Sequence, residues 1–216
     1  MGSDSGSVVE AVIWDFGGVI SSSPFEAFSR YERERGLPHG FLRSVNARNH
    51  HENAWARLER SECTTREFDR LFARESRELG HEVPGAEVLA LLDGDIRPQM
   101  VEALRRIRER MRIGCITNNF ARDGDDAPAW SDKSAIMQLF HHVIESAKAG
   151  VRKPDPRIYL MMTDALGVPP ERCVYLDDLG VNLKPARALG MRTIKVQGPD
   201  EALEELQGML GFALRD

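Results

Sequence analysis

The residues Val8-Val9-Glu10-Ala11-Val12-Ile13-Trp14 form an almost unbroken apolar, β-branched run that stops at Asp15. A run without strict alternation predicts a strand buried on both faces, as in a parallel sheet. Four more runs of this kind follow, at residues 112–117, 142–145, 173–176 and 192–196. Between them, residues 98–110 and 156–166 place apolar side chains at helical period. Each of these stretches opens on a proline, which a helix accepts in its first turn. Strand and helix in alternation, with short connections, predict right-handed βαβ units and an α/β fold built on a doubly wound parallel sheet.

One stretch breaks the alternation. Residues 21–95 contain no convincing strand and are dominated by helical patterns at 25–35, 40–49 and 65–79. Thr64 or Thr65 can cap the last of these, with Glu67 near the reciprocal position of a capping box. An all-helical insertion directly after the first strand predicts a cap over the ligand-binding edge of the sheet. The expected division is residues 8–20 together with 96–216 as the sheet domain, and residues 21–95 as a helical cap.

Composition narrows the classes without naming one. The chain has 216 residues, 42% apolar and 29% charged, with a net charge of −5. That length suits one α/β domain plus a small insertion. The acidic balance argues against nucleic acid as the main partner, since phosphate backbones are held by basic excess. No apolar run approaches the ~20 residues of a membrane span. The first seven residues are small and polar and lack the pattern of a signal peptide. Cys63, Cys115 and Cys173 are too few and too scattered for a disulfide framework or a zinc site. They point to packing roles and a reducing cytoplasm.

The chemistry-bearing residues lie where the apolar runs end. In open α/β sheets ligands bind beyond the carboxyl ends of the strands. The first run ends in Asp15-Phe16-Gly17-Gly18-Val19 and the second in Thr117-Asn118-Asn119. The third is followed by Lys153-Pro154-Asp155, and the fourth ends in Asp177-Asp178-Leu179-Gly180-Val181-Asn182. Singly, each has a plain explanation as a turn or a solvated charge. Together, three carboxylates, a lysine and a hydroxyl on successive strand ends suit phosphoryl transfer, where catalysis is mostly positioning and charge stabilisation.

The ordered set Asp-x-Gly-Gly-Val, Ile-Thr-Asn, Lys-Pro-Asp-Pro and Leu-Asp-Asp-x-Gly-x-Asn resembles the four motifs of the haloacid dehalogenase-like superfamily. It spans nearly the whole chain. The closer likeness is to the N-terminal phosphatase domain of soluble epoxide hydrolases and the related domain of acyl-CoA dehydrogenase-like proteins, carried mostly by residues 174–197. With the chain ending at Asp216, the epoxide hydrolase and dehydrogenase activities of those larger proteins are not expected. The resemblance implies a Rossmann-like core with a helical cap, and it implies roles. Asp15 attacks phosphorus and becomes an aspartyl-phosphate. Mg²⁺ is held by Asp15, the Gly17 carbonyl and Asp178, with Asp177 orienting a metal-bound water. Thr117 and the Asn118 backbone hold phosphoryl oxygens, and Lys153 offsets charge on nucleophile and phosphate. Asn182 supports the acidic loop, whereas Lys184 is expected on a helix surface. The implied partner is a small phosphorylated metabolite, acted on by a monomer or homodimer.

The sequence departs from the family at one place that matters. Family phosphatases usually carry a second aspartate two residues after the nucleophile, where it protonates the leaving alcohol. Here that position is Gly17. A positioned general acid contributes ~10²–10⁴-fold. Three readings follow, in order of preference. The first is a phosphatase whose substrate has a good leaving group or whose cap supplies an acid, with His39, His50, His51 and Glu52 as candidates. The second is a binder of phosphorylated ligands without turnover, and the third a dehalogenase. Phe25, Phe28, Phe41 and Trp55 are expected in the cap's own core rather than in a pocket. Arg122-Asp123-Gly124-Asp125-Asp126 is expected to be a solvated turn.

Overall fold

The computed structural model describes residues 8–92, 94–119 and 131–215; the polar start and the turn at 122–126 lie outside them. From β1 (Ala11–Trp14) the chain enters the helical insertion: α1 (Pro24–Arg35), α2 (Phe41–Ala47), α3 (Ala54–Glu59), α4 (Thr65–Arg77) and α5 (Gly85–Ala90). It returns through α6 (Pro98–Arg108) to β2 (Arg112–Thr117), α7 (Ser131–Met137), β3 (His142–Glu145) and α8 (Ser146–Ala149). The last third adds α9 (Pro156–Leu166), β4 (Cys173–Asp177), α10 (Gly180–Ala188), β5 (Arg192–Lys195) and α11 (Pro199–Leu210).

The five strands form one sheet in the order β3-β2-β1-β4-β5, and every neighbouring pair is parallel. Alternate side chains of β1 leave on opposite sides, as the two-residue strand period requires. Val12 and Trp14 join a cluster with Leu104, Ile107, Leu203 and Leu206 of α6 and α11. Ala11 and Ile13 join another with Ile158, Met162, Leu183 and Ala186 of α9 and α10. Helices therefore cover both faces, which explains the continuous apolar runs in the sequence. Each large side chain buried this way contributes about 1.5–3 kcal/mol. Cys115 and Cys173 are among the fully buried residues, and burial pushes the Cys173 thiol up to about 12, so packing is their role.

The chain moves from β1 outward to β2 and β3, then crosses back to place β4 on the other side of β1. That reversal makes the carboxyl ends of the central strands a topological switch point, where open α/β sheets bind ligands. The insertion leaves and rejoins the sheet at this same end. Its two linkers run antiparallel, with a bridge between Ser21 and Ile96. The Ser22 N–H donates to the Asp95 carbonyl at 2.8 Å and the Arg97 N–H to that of Ile20 at 2.9 Å. Beyond the linkers the insertion has a separate apolar cluster that includes Phe28, Phe41, Leu42, Phe68 and Phe72. Phe25 and Trp55 are half-buried against it. Thr64 and Glu67 exchange the reciprocal hydrogen bonds of a capping box at the start of α4.

Candidate active site

Asp15 continues β1 by one residue, its N–H donating to the Leu176 carbonyl at 2.8 Å. The next turn folds back tightly: the Phe16 N–H donates to Asp15 Oδ1 at 2.7 Å. Gly18 has φ +77°, and a Cβ there would sit 2.3 Å from a carboxylate oxygen of Asp178. Only glycine lets the loop after β1 approach the loop after β4 so closely. The Arg97 guanidinium fixes the turn by donating to the Gly18 carbonyl at 2.9 Å. Gly17 differs: its φ lies outside the left-handed region, and a Cβ would meet nothing within 4 Å.

Lys153 is 1% exposed, and its Nζ lies 2.8 Å from Asp15 Oδ1 and 2.9 Å from Asp177 Oδ2. A buried lysine is tolerated only with such partners. Burial works to lower its pKa, but the two carboxylates outweigh that and hold it well above the usual lysine range, so the ammonium is charged. The residue does not follow β3 directly. Helix α8 intervenes, and the backbone of Lys153 is held by the side chain of Asn118. Asn118 Nδ2 donates to the Lys153 carbonyl at 3.0 Å, while Asn118 Oδ1 accepts from the Lys153 N–H at 2.9 Å. This amide acts as a one-residue extension of the ladder and connects the end of β2 to the lysine.

Asp177 has no exposed surface and its carboxylate is saturated with donors. Oδ1 accepts from the Leu179 N–H at 2.8 Å and from Asn182 Nδ2 at 3.0 Å. Oδ2 accepts from Lys153, from Asn182 at 3.1 Å and from the Tyr175 hydroxyl. Tyr159 in turn donates to the Asn182 carbonyl at 2.7 Å and packs edge-on against Tyr175. These tyrosines were legible only as strand and helix packing, yet they hold the acidic loop. Asp178 is half-buried and accepts from Ser23 Oγ at 3.2 Å, a contact from the start of the insertion.

Asp15, Asp177 and Asp178 each present an oxygen within 4.8 Å of the others. Burial pushes the Asp15 carboxyl well above its ordinary range, and both acidic neighbours add to this against the pull of Lys153. Burial and Asp177 likewise raise Asp178 to about 6. Three carboxylates face one ammonium, so the site carries an excess of negative charge on hard oxygen donors. Such a donor set fits a hard divalent cation. Thr117 closes β2 beside this cluster and is 8% exposed, as is Asp15. The sequence-predicted residues Asp15, Thr117, Asn118, Lys153, Asp177, Asp178 and Asn182 therefore come together at one sheet end, whereas Lys184 is exposed on α10. His39, His50, His51 and Glu52 are all exposed too.

A parallel sheet with this strand order, a helical insertion after β1 and an acidic cluster around a buried lysine defines a class of hydrolase. Residues 9–190 match the haloacid dehalogenase-like hydrolases, and the chain belongs to that family. It is 34% identical over 215 residues to acyl-CoA dehydrogenase family member 10 of Mus musculus, covering 97% of this chain and 20% of that protein. It is 31% identical over 220 residues to bifunctional epoxide hydrolase 2 of Sus scrofa, covering 95% of this chain and 40% of that one. The chain thus spans about a fifth and two fifths of these relatives. A glyceraldehyde 3-phosphate phosphatase of Methanopyrus kandleri is 29% identical over 141 residues, or 61% of this chain and 58% of its own. Among solved structures, a family enzyme of Bacteroides thetaiotaomicron in complex with magnesium and inorganic phosphate shares the fold. It has a TM-score of 0.57 at 21% identity, covering 87% of this chain and 93% of that one. Among the described residues no helix is long and apolar enough to cross a membrane.

Proposed function

We propose that this chain is a Mg²⁺-dependent phosphomonoester hydrolase that works through an aspartyl-phosphate on Asp15. The observation that carries the reading is Lys153 Nζ held between Asp15 and Asp177 at 2.8 and 2.9 Å, buried at the switch point where the sheet reverses. Asp15 Oδ1 carries both the Phe16 N–H and the ammonium, which leaves Oδ2 to attack phosphorus. Lys153 then offsets charge shared between nucleophile and phosphoryl oxygens. Thr117 Oγ1 and the Asn118 N–H bind the phosphoryl group from the end of β2. Asp15, Asp178 and the Gly17 carbonyl would hold the cation, whose Lewis acidity would neutralise charge on a phosphoryl oxygen. Asp177, held by Leu179, Asn182, Tyr175 and Lys153, sets the positions of Lys153 and the loop around it and would orient a water on the cation. The helical insertion, residues 21–95, acts as a cap over this sheet end and selects a small phosphorylated metabolite.

Gly17 leaves the attack step intact and removes the proton donor for the leaving group. The preferred substrates are therefore those whose leaving group needs little protonation, such as an anomeric sugar phosphate. A second reading, binding of phosphorylated ligands without turnover, is favoured by the same glycine. A dehalogenase has no use for Asp178 beside Asp15, which weighs against it. The deciding assay is hydrolysis of p-nitrophenyl phosphate and a panel of phosphate monoesters, with and without Mg²⁺, beside Asp15→Asn. Metal-dependent turnover that falls on the order of 10⁴-fold or more in the variant, as loss of a nucleophile does, is expected. Absence of turnover in folded, Mg²⁺-binding protein would leave the binding function in its place.

A further inference from the structure

Among the described residues the insertion carries two buried acids: Glu32 accepts from the Gly40 and Leu42 backbone within the insertion, and Glu59 meets the sheet domain. Glu59, at the end of α3, is 6% exposed. Its Oε1 accepts from Trp55 Nε1 at 2.9 Å, one helical turn earlier. Its Oε2 lies 2.6 Å from Nε of Arg152, the residue immediately before Lys153. Those two atoms are close but off the line of a hydrogen bond, so the contact is electrostatic. Two further contacts cross the same boundary. Arg152 donates to the His50 carbonyl at 3.3 Å, and Ser61 Oγ donates to the Ala147 carbonyl at 2.9 Å. All three contacts fall on the stretch from α8 to Lys153, which the Asn118 amide grips from the other side.

A carboxylate this deeply buried is costly unless a cation answers it. Burial pushes the Glu59 carboxyl up and Arg152 pulls it back, so the acid and the guanidinium depend on each other. If the insertion lifted away, Arg152 would lose its counter-charge and the segment leading to Lys153 would lose one of its two anchors. We propose that Glu59 is a positioning residue that closes the insertion onto the Lys153 loop through Arg152. The catalytic part of this inference rests on Lys153 having the role given above; the closure part does not.

The test uses full-length Glu59→Gln, Arg152→Gln and the double variant, with Arg152→Lys as the charge-conserving control. Hydrogen exchange by mass spectrometry reads closure whether or not the protein turns over. Peptides covering residues 48–61 and 147–153 should exchange about tenfold faster in each single variant, and the double variant should be no worse than either, as coupled residues behave. Peptides from β1 and β4 should be unchanged. In turnover, kcat should fall about tenfold with KM for p-nitrophenyl phosphate nearly constant, and Arg152→Lys should recover part of it. Unchanged exchange, or effects that simply add in the double variant, would overturn the proposal. Protected peptides that loosen as described in a protein without any turnover would sustain closure and remove only the phosphatase reading. Should Glu59→Gln fail to fold, the same comparison between Arg152→Gln and Arg152→Lys decides: equal exchange in the two would sink it.

Discussion

The sheet end and the helical insertion solve opposite problems. At the sheet end, four chain segments deliver charged or polar side chains into a largely buried space, where most of these groups have partners. Asp177 alone accepts from Lys153, Tyr175, Asn182 and the Leu179 backbone. The insertion is built around phenylalanines, and its histidines face solvent. Reaction chemistry needs groups held to fractions of an ångström, which strand ends and helix starts provide. Selection of a substrate needs a surface that can vary without disturbing them. Among the described residues the two regions meet at a few polar points: Ser23 on Asp178, the Glu59–Arg152 pair, Arg152 on the His50 carbonyl and Ser61 on the Ala147 carbonyl.

Under the proposed function, the sharpest way to probe this division is to supply the sheet end with an acid at position 17. Gly17→Asp should fit, because a Cβ at that position meets nothing within 4 Å and the backbone is unstrained for a side chain. Turnover of alkyl phosphates, whose leaving groups need a proton, should rise by ~10²–10⁴-fold. That of p-nitrophenyl phosphate should rise far less. A flat response across leaving groups would mean that the acid already comes from the insertion, and the division would fail. Lys153→Met should act next most strongly. It leaves Asp15 and Asp177 buried without their cation, which costs about 3–5 kcal/mol for a broken buried pair. Thermal unfolding in metal-free buffer should show it as a lower Tm. A Tm equal to that of the parent would mean that the lysine's charge is not needed to hold the acids together.

The sheet was legible because burial on both faces writes an unmistakable apolar run, and the polar and charged residues at the ends of those runs, each explicable alone as a turn or a solvated charge, pointed to a site as an ordered set. Their supports were less so. Tyr175 sits inside a strand where an aromatic ring needs no explanation, and only the fold puts its hydroxyl on Asp177. The link from Asn118 to Lys153 joins residues 35 apart through a side chain and leaves no periodic trace. In the insertion the long helices were visible from their spacing, but α3 has six residues, too few for a period to emerge. Its signal was the pair Trp55 and Glu59, four apart on one helical face. The exposed histidines drew attention as acids because of their residue type; of the insertion's two buried acids among the described residues, Glu32 and Glu59, the one that meets the sheet domain is Glu59.

The smallest effect tests the division from the other side. The α4 capping box satisfies two backbone donors at an exposed helix start, with Thr64 Oγ1 accepting from the Glu67 N–H at 3.2 Å and Glu67 accepting from the Thr64 N–H at 2.8 Å. Thr64→Ala removes one half of that exchange and should cost about 1 kcal/mol, a shift of a few degrees in Tm. Helix α4 packs on α3 and α5 within the insertion, and the residues that contact Arg152, next to Lys153, lie on α3 and the turn before it. If the insertion's stability and the chemistry at the sheet end are separate, kcat at a temperature well below Tm should match the parent's. A kcat that dropped along with Tm would show that order in α4 reaches Lys153 through Glu59, and the two regions would have to be treated as one machine.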